Sequence, residues 1–121
     1  MVLDEVLQRC SYTASWFGVE AIDVNSINDM GDTPLHTVCS WGELNPVKVL
    51  IDAGADINAK GDFGCSPLFN AVIGGNIKII KYLLASGANI GVRNDDDRNV
   101  IQYARHIGAS SELLDVLNKA F

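Results

Sequence analysis

Apolar residues recur along the chain at intervals of three and four positions, with polar residues between them. This spacing places the apolar side chains on one face of an α-helix. It occurs in three separate segments and predicts that these segments pack their apolar faces into a shared core. The positions that carry this prediction are Leu44, Val47, Leu50, Ile51, Ile77, Ile80, Leu83, Leu84, Leu113, Val116 and Leu117.

Helix ends are marked by residues with strong positional preferences. Thr33 and Ser66 each stand directly before a proline, an arrangement that is typical of a helix N-terminus. Gly42 is typical of a C-terminus, because glycine readily adopts the left-handed conformation that ends a helix. Together with the apolar spacing, these signals predict helices over 34–41, 46–52, 67–73 and 77–85.

The same features return 33 positions later in the chain. Residues 33–36, Thr-Pro-Leu-His, correspond to residues 66–69, Ser-Pro-Leu-Phe. Residues 54–58, Gly-Ala-Asp-Ile-Asn, correspond to residues 87–91, Gly-Ala-Asn-Ile-Gly, and Asp-Val-Asn at 23–25 stands one period earlier. A period of this length indicates a repeat architecture, in which stacked units share one core.

These motifs and their period resemble those of the ankyrin-repeat family. The resemblance is specific over residues 28–93, continues over 94–121, and rests on residues 23–25 within the first 27 positions. It implies an all-α solenoid in which each unit is a β-turn finger followed by two antiparallel helices. We therefore expect a single domain over residues 1–121 with degenerate caps at both ends. The expected repeat units are 1–27, 28–60, 61–93 and 94–121.

The first unit is expected to act as a cap. It has no room for a finger of its own before its helices, and its apolar side chains would cover the first full repeat. The residues expected to provide this cover are Val2, Leu3, Val6, Trp16 and Phe17.

The charge balance narrows the range of partners. The chain has 15 Asp and Glu against 9 Lys and Arg, a net charge of −6. Such a surface repels phosphate backbones and anionic membranes and attracts basic proteins, so neither a nucleic acid nor a membrane is an expected partner. With an odd number of cysteines, no basic leader and no long apolar run, we expect a cytoplasmic monomer with reduced thiols.

No motif predicts catalysis, a cofactor or a metal. The family resemblance implies that His36 bridges neighbouring turns by hydrogen bonds, and Phe69 holds the same place in the next unit. Asp95, Asp96 and Asp97 lack the spacing and the glycine of a calcium-binding EF-hand loop. The glycine pairs lack the spacing of a phosphate-binding loop. We therefore expect no enzyme activity.

Turn residues also follow the period. Gly31 and Gly64 are placed where a turn requires positive φ, and Asp97 takes the third place. Aspartate tolerates the left-handed conformation better than most residues, so we expect the third turn to form as well.

The resemblance implies where a partner would bind. In ankyrin proteins, the finger tips and the exposed flank of each unit's first helix form a concave recognition surface. Here those positions combine large apolar residues with an acidic rim, which favours an interface. In the alternative interpretation, Phe63 and Met30 only pack between fingers and the acids only maintain solubility. The candidate residues are Asp29, Met30, Asp32, Trp41, Asp62, Phe63, Ile73, Asp95, Asp96, Arg98, His106 and Ile107.

These observations predict a non-catalytic module that binds a basic or amphipathic protein through its concave acidic and aromatic face. One specific alternative is a bacterial immunity protein that inhibits a basic toxin, for example a nuclease, by occluding its active site. Another is a regulatory adaptor or an inhibitor of a transcription factor. A third possibility, from a different class of function, is an enzyme. Hydrolysis of ester or phosphate substrates by the purified protein, with loss of activity in His36→Ala, would support it.

Overall fold

The computed structural model of the protein describes residues 1–120. These residues contain seven α-helices, two short 3₁₀ turns and no β-strand. None of the helices in this range is long and apolar enough to cross a membrane. The helices are Leu3–Ser11 (α1), Pro34–Cys39 (α2), Leu44–Asp52 (α3), Pro67–Gly74 (α4), Ile77–Ala85 (α5), Val100–His106 (α6) and Ser111–Lys119 (α7); the 3₁₀ turns are Ala14–Trp16 and Asp62–Gly64.

The four predicted helices are present; two of their ends are displaced by two residues, and the end of α4 by one. Helix α2 ends at Cys39, two residues before the predicted end, because the next two residues form the turn that leads into Gly42, where φ is +77°. Helix α3 begins at Leu44, two residues before the predicted start. Pro46 fits there because it lies in the first helical turn, where backbone N–H groups have no partner within the helix.

The helices stack in two layers. The first helices of successive units, α2, α4 and α6, contact one another in order, and the second helices, α3, α5 and α7, do the same. A single helix pair cannot bury its own apolar stripe, so each unit depends on its neighbours for stability. All eleven apolar positions predicted from their spacing are buried in this core or packed against it.

Asparagine side chains join neighbouring units beyond the second helices. The Asn25 amide nitrogen donates to the Gly54 carbonyl at 3.4 Å, and its oxygen accepts from the Asp56 N–H at 3.1 Å. Asn58 makes the same two bonds to the following unit, at 3.2 and 2.8 Å. These bonds explain why the Asp-Val-Asn and Asp-Ile-Asn segments recur with the period.

The first unit is more irregular than a helix pair. It consists of α1, a 3₁₀ turn and an irregular segment. Val6 and Trp16 are buried as predicted, and Leu3 packs against the core. The prediction was wrong for Val2 and Phe17, which are exposed. Val2 is in extended backbone ahead of α1. Phe17 lies in a turn, closed by the Val19 N–H donating to the Trp16 carbonyl at 3.1 Å, and its side chain is 88% exposed.

Candidate protein-binding surface

Three fingers precede the first helices of the last three units: finger 1 (28–32), finger 2 (61–65) and finger 3 (94–98). In each finger, the N–H of the first residue donates to the carbonyl of the fifth at 2.8–3.0 Å. A residue with positive φ closes each turn, so the prediction is confirmed, including the aspartate in place of glycine. These residues are Gly31 (φ +88°), Gly64 (φ +69°) and Asp97 (φ +58°).

Hydrogen bonds hold the fingers in a row. The Asp62 N–H donates to Asp32 Oδ1 at 2.8 Å, which joins fingers 1 and 2. The Asp95 N–H donates to the Phe63 carbonyl at 2.9 Å, which joins fingers 2 and 3. Glycine at position 61 leaves room for this contact, because a Cβ there would overlap Asp32 Oδ1 and displace the carboxylate. The finger tips therefore form a rigid platform rather than three independent loops.

His36 supports this platform from below, as the family resemblance implied. It is fully buried. Its Nδ1 accepts from the Thr33 N–H at 3.0 Å, and its Nε2 lies 2.8 Å from the carbonyl oxygen of Cys65 in finger 2. Because Nδ1 accepts, Nε2 carries the hydrogen and donates to that carbonyl. Both ring nitrogens are therefore engaged in structural hydrogen bonds.

A groove of about 260 Å³ lies between the fingers and helices α4 and α6. Two of its wall residues present large exposed apolar surface, since Phe63 is 71% and Ile73 57% exposed. The groove brings together four of the twelve predicted residues: Asp32, Asp62, Phe63 and Ile73. Its other wall residues are Cys65, Phe69, Asn70 and Tyr103.

Phe63 has an unusual backbone for its side chain. Its φ of +54° and ψ of +24° lie in the left-handed region, which costs a residue with a Cβ about 1–2 kcal/mol. Its side chain is mostly exposed, so burial does not compensate for this cost. Strain of this kind occurs preferentially at functional sites. The conformation places an aromatic ring at the tip of finger 2, at the mouth of the groove.

Two groove residues were missed by the sequence analysis. Asn70 and Tyr103 lie 33 positions apart, each directly after the fourth residue of the helix-start motif. The Tyr103 ring packs edge-on against Phe69, with centroids 5.3 Å apart. Phe69, at the position of the motif histidine, is buried beneath this contact. The repeat period could have found both residues, because it places them at equivalent positions on neighbouring first helices.

Trp41 lies outside the groove, and its predicted exposure was wrong. The side chain is half-buried and packs against the core. The guanidinium carbon of Arg9 lies 4.4 Å from the Trp41 ring centroid, and Arg9 Nη2 donates to Glu43 Oε2 at 2.7 Å. Helix α1 therefore covers Trp41 through a cation–π contact. The expectation failed because nothing in the sequence placed Arg9 above this ring.

The acidic rim is partly neutralised at finger 3. Asp96 lies 3.8 Å from Arg98, and Asp97 lies 3.8 Å from Arg93. These pairs are largely exposed, so each contributes little to stability, but they reduce the charge that a partner meets. Within residues 1–120, the predicted carboxylates that form no ion pair are Asp29, Asp32, Asp62 and Asp95.

The remaining predicted residues do not line the groove; Arg98 is half-buried, and the others, Asp29, Met30, Asp95, Asp96, His106 and Ile107, are exposed. Met30 lies at the tip of finger 1. His106 and Ile107 lie at the C-terminal end of α6, where a positive histidine interacts favourably with the helix dipole. In the described part of the chain, no group of three His, Cys, Asp or Glu side chains is arranged to hold a metal ion.

The three cysteines are free, and all three are poor nucleophiles. Burial raises the pKa of the Cys65 thiol; a hydrogen bond from Asn94 opposes this, and carboxylates of the groove, led by Asp32, raise the pKa further. Burial raises the pKa of Cys10 to about 11 and also raises the pKa of Cys39. A raised pKa lowers the thiolate fraction at neutral pH.

We expect the folded protein to resist alkylation at pH 7.5. Cys65 should react with iodoacetamide first, because it is the least buried, and its rate should rise with pH above the range of an ordinary thiol. Cys10 and Cys39 should react only after unfolding in urea. Mass spectrometry of the labelled peptides measures each site. Labelling of Cys39 in the folded protein as fast as Cys65 would contradict the burial described here.

A row of fingers, each followed by a helix pair and open to a groove on one side, defines a repeat solenoid. A family model described as ankyrin repeats (3 copies) matches residues 8–116, and the chain belongs to the ankyrin-repeat family. Ankyrin repeats are protein–protein interaction modules and are typically non-catalytic. A comparison with curated proteins gives no match.

Proposed function

We propose that the protein binds a basic or amphipathic partner protein through the groove beside fingers 1 and 2, without chemistry of its own. The observation that carries this proposal is Phe63, a large aromatic side chain that is exposed in a strained backbone beside the groove. Neither packing nor the turn requires phenylalanine there. In a complex, the partner would bury the Phe63 ring, which is exposed in the isolated chain.

The surroundings of Phe63 support this partner chemistry. Ile73 adds exposed apolar surface to the same groove. The carboxylates of Asp32 and Asp62 also line the groove, and neither forms an ion pair. An apolar centre within a charged rim is the usual anatomy of a binding hot spot. The rigid row of fingers limits the ordering entropy lost on binding. The acidic rim would attract a basic partner and accelerate association.

The double variant Phe63→Ala and Ile73→Ala is expected to weaken partner binding by about 100-fold, because the loss of each apolar side chain would cost about 1.4 kcal/mol, or tenfold in affinity. The partner is first obtained by affinity capture with the wild-type protein and quantitative mass spectrometry. Its affinity is then measured by titration with purified proteins. The far-ultraviolet circular dichroism of the variant should remain unchanged, because both side chains are exposed.

Phe17→Ala is the matched control, because it also removes an exposed aromatic ring, but from the first unit. This variant should bind the partner as tightly as the wild type. Equal loss in both variants, or no loss in the double variant, would contradict the groove as the binding site. An affinity that does not change with salt would contradict a basic partner.

Inhibition of a basic enzyme is a second candidate function, favoured by the net charge of −6 and by the free carboxylates beside the groove. In this case Asp62 and Asp95 would occupy positions that the enzyme provides for substrate phosphates. Such a partner would lose activity on stoichiometric addition of the protein.

We also propose that residues 1–121 form one monomeric domain of four units, 1–27, 28–60, 61–93 and 94–121. Its three unpaired cysteines suit the cytoplasm.

A further inference from the structure

The outer edge of finger 1, defined here as residues 28–32 on the side away from finger 2, carries two hydrogen-bond donors without acceptors. Among the described residues, the Asp29 N–H has no hydrogen-bond partner. The side-chain amide nitrogen of Asn28 is buried and unpaired, and Asn28 as a whole is only 6% exposed. Buried donors are almost always paired in native proteins, so this amide indicates a missing acceptor.

The equivalent donors of finger 3 show what such an edge binds. Two periods later in the chain, the Asp95 N–H donates to the Phe63 carbonyl at 2.9 Å. The Asn94 amide nitrogen faces Cys65 Sγ at 4.0 Å. Both acceptors belong to finger 2 and stand two residues apart in one chain segment. Fingers 1 and 3 therefore share one donor pattern, and only finger 3 has a neighbour that satisfies it.

The side-chain oxygens of Asn28 and Asn94 accept equivalent hydrogen bonds within their own fingers. Asn28 Oδ1 accepts from the N–H groups of Met30 and Asp32, both at 3.0 Å. Asn94 Oδ1 accepts from the two equivalent N–H groups of finger 3, at 3.0 and 3.1 Å. These bonds fix each carboxamide, so the nitrogen is directed in the same way in both fingers. The Asn28 side chain is therefore held in place by the finger, and its amide nitrogen is not unpaired because the carboxamide rotates freely.

We propose that the outer edge of finger 1 binds an extended segment of a partner protein, whose backbone takes the place that finger 2 holds beside finger 3. The segment would offer a carbonyl oxygen to the Asp29 N–H and a second acceptor, two residues away, to the Asn28 amide. The flanking residues Ile27, Asp29 and Met30 are exposed, so a segment can approach the Asp29 N–H directly. The Asn28 amide nitrogen is buried, so the segment reaches it only by displacing the side chains that cover it. This surface is separate from the groove of the proposed function.

The charge at the edge selects among acceptors. Two donors could also hold a carboxylate, but the exposed Asp29 side chain belongs to this edge and would repel an anion. Neutral peptide carbonyls avoid this repulsion, and a Lys or Arg beside them would gain from the Asp29 carboxylate. The exposed side chains of Ile27 and Met30 would cover apolar residues of the segment. The occupant we infer is therefore a basic, extended peptide segment.

A second copy of the chain fits this edge poorly. Finger 3 of another molecule would have to supply the acceptors, and the position equivalent to Cys65 is Arg98 in that finger. An arginine side chain is a donor only, so it would face the Asn28 amide donor without a bond. This mismatch disfavours head-to-tail stacking of copies and favours a different protein as the occupant.

The decisive variant is Asp29→Pro, which removes the donor N–H. The Gly31 N–H donates to the Asn28 carbonyl at 2.9 Å, so residue 29 is the second residue of a four-residue turn, a position that suits proline. Asp29→Ala is the control, because it removes the same carboxylate and keeps the N–H. Asn28→Asp is a second test, because a carboxylate keeps the acceptor oxygen of the finger and removes the unpaired donor.

The probe is a phage-displayed library of 12-residue peptides selected against the full chain. We expect enriched peptides rich in Lys or Arg, with at least tenfold weaker binding to Asp29→Pro than to Asp29→Ala. Asn28→Asp should also weaken their binding. Their affinity for Phe63→Ala with Ile73→Ala should equal that for the wild type. On binding, hydrogen exchange at the Asp29 amide should slow.

Other results would overturn the proposal. Equal affinity of the peptides for Asp29→Pro and Asp29→Ala would show that the N–H is not used. Peptides whose affinity falls only for the double variant Phe63→Ala and Ile73→Ala would support the proposed function and refute this second surface. Concentration-dependent self-association that Asp29→Pro abolishes would identify a second copy as the occupant. Failure to enrich any peptide that depends on position 29 would also refute it.

Discussion

Replacing Trp16 with alanine is expected to lower the free energy of unfolding by about 3–5 kcal/mol. The side chain is fully buried between the first unit and α2, and its indole N–H donates to Thr37 Oγ1 at 2.8 Å. The substitution removes a large apolar volume and leaves a cavity at the end of the stack. Total stabilities of domains are about 5–15 kcal/mol, so this loss is severe. Urea unfolding followed by circular dichroism measures it.

Phe17 provides the control for this prediction, because it is the next residue and also aromatic. Phe17→Ala should change the free energy of unfolding by no more than about 0.5 kcal/mol, since the ring is mostly exposed. Trp16→Phe should lie between the two, because it keeps most of the volume and loses the hydrogen bond to Thr37. Similar losses in Trp16→Ala and Phe17→Ala would contradict the placement of the first unit.

The comparison of Trp16 and Phe17 shows where sequence analysis reaches its limit. The 33-residue period and the apolar spacing report local structure and the stacking of equivalent units, so the helices and the core could be predicted. The first unit lacks the period over most of its length. Its contacts depend on how an irregular turn directs consecutive side chains, and composition alone could not separate a buried tryptophan from an exposed phenylalanine.

The candidate site was predictable to the extent that it follows the repeat. The groove contains Phe63 and Ile73, which the family's positions identify. It excludes Trp41, because Arg9 from a helix outside the repeat pattern lies over that ring. The same argument applies to the finger edges. The period predicts equivalent donors, but only the structure shows that those of finger 1 have no neighbouring acceptor.

Rigid fingers connect these observations to binding. Phe63 can keep its left-handed backbone because its carbonyl accepts from finger 3, while finger 2 is tied to finger 1 through Asp32. The strain at the groove is therefore sustained by bonds between units. His36 supports the fingers from below, so its loss should weaken both the stability of the protein and the order of the binding surface.

His36→Ala is expected to destabilise the protein by about 3–5 kcal/mol, a loss comparable to that of other large buried side chains. The substitution creates a cavity and leaves the Thr33 N–H without its partner. It also removes one of the two hydrogen bonds that the Cys65 carbonyl accepts, while the bond from the Gly61 N–H remains. The unpaired N–H adds about 1–3 kcal/mol to the cost before relaxation and solvation reduce it. Calorimetry or urea unfolding gives the change, and amide exchange at Cys65 and its neighbours should become faster.

Two variants separate the cavity from the hydrogen bonds. His36→Phe fills most of the space, as Phe69 does in the next unit, but it cannot pair with Thr33 or Cys65, so we expect it to recover only part of the loss. His106→Ala removes the other, exposed histidine and should change stability by no more than about 0.5 kcal/mol. If His36→Phe were as stable as the wild type, packing alone would hold the fingers, and the hydrogen bonds of His36 would contribute no net stability.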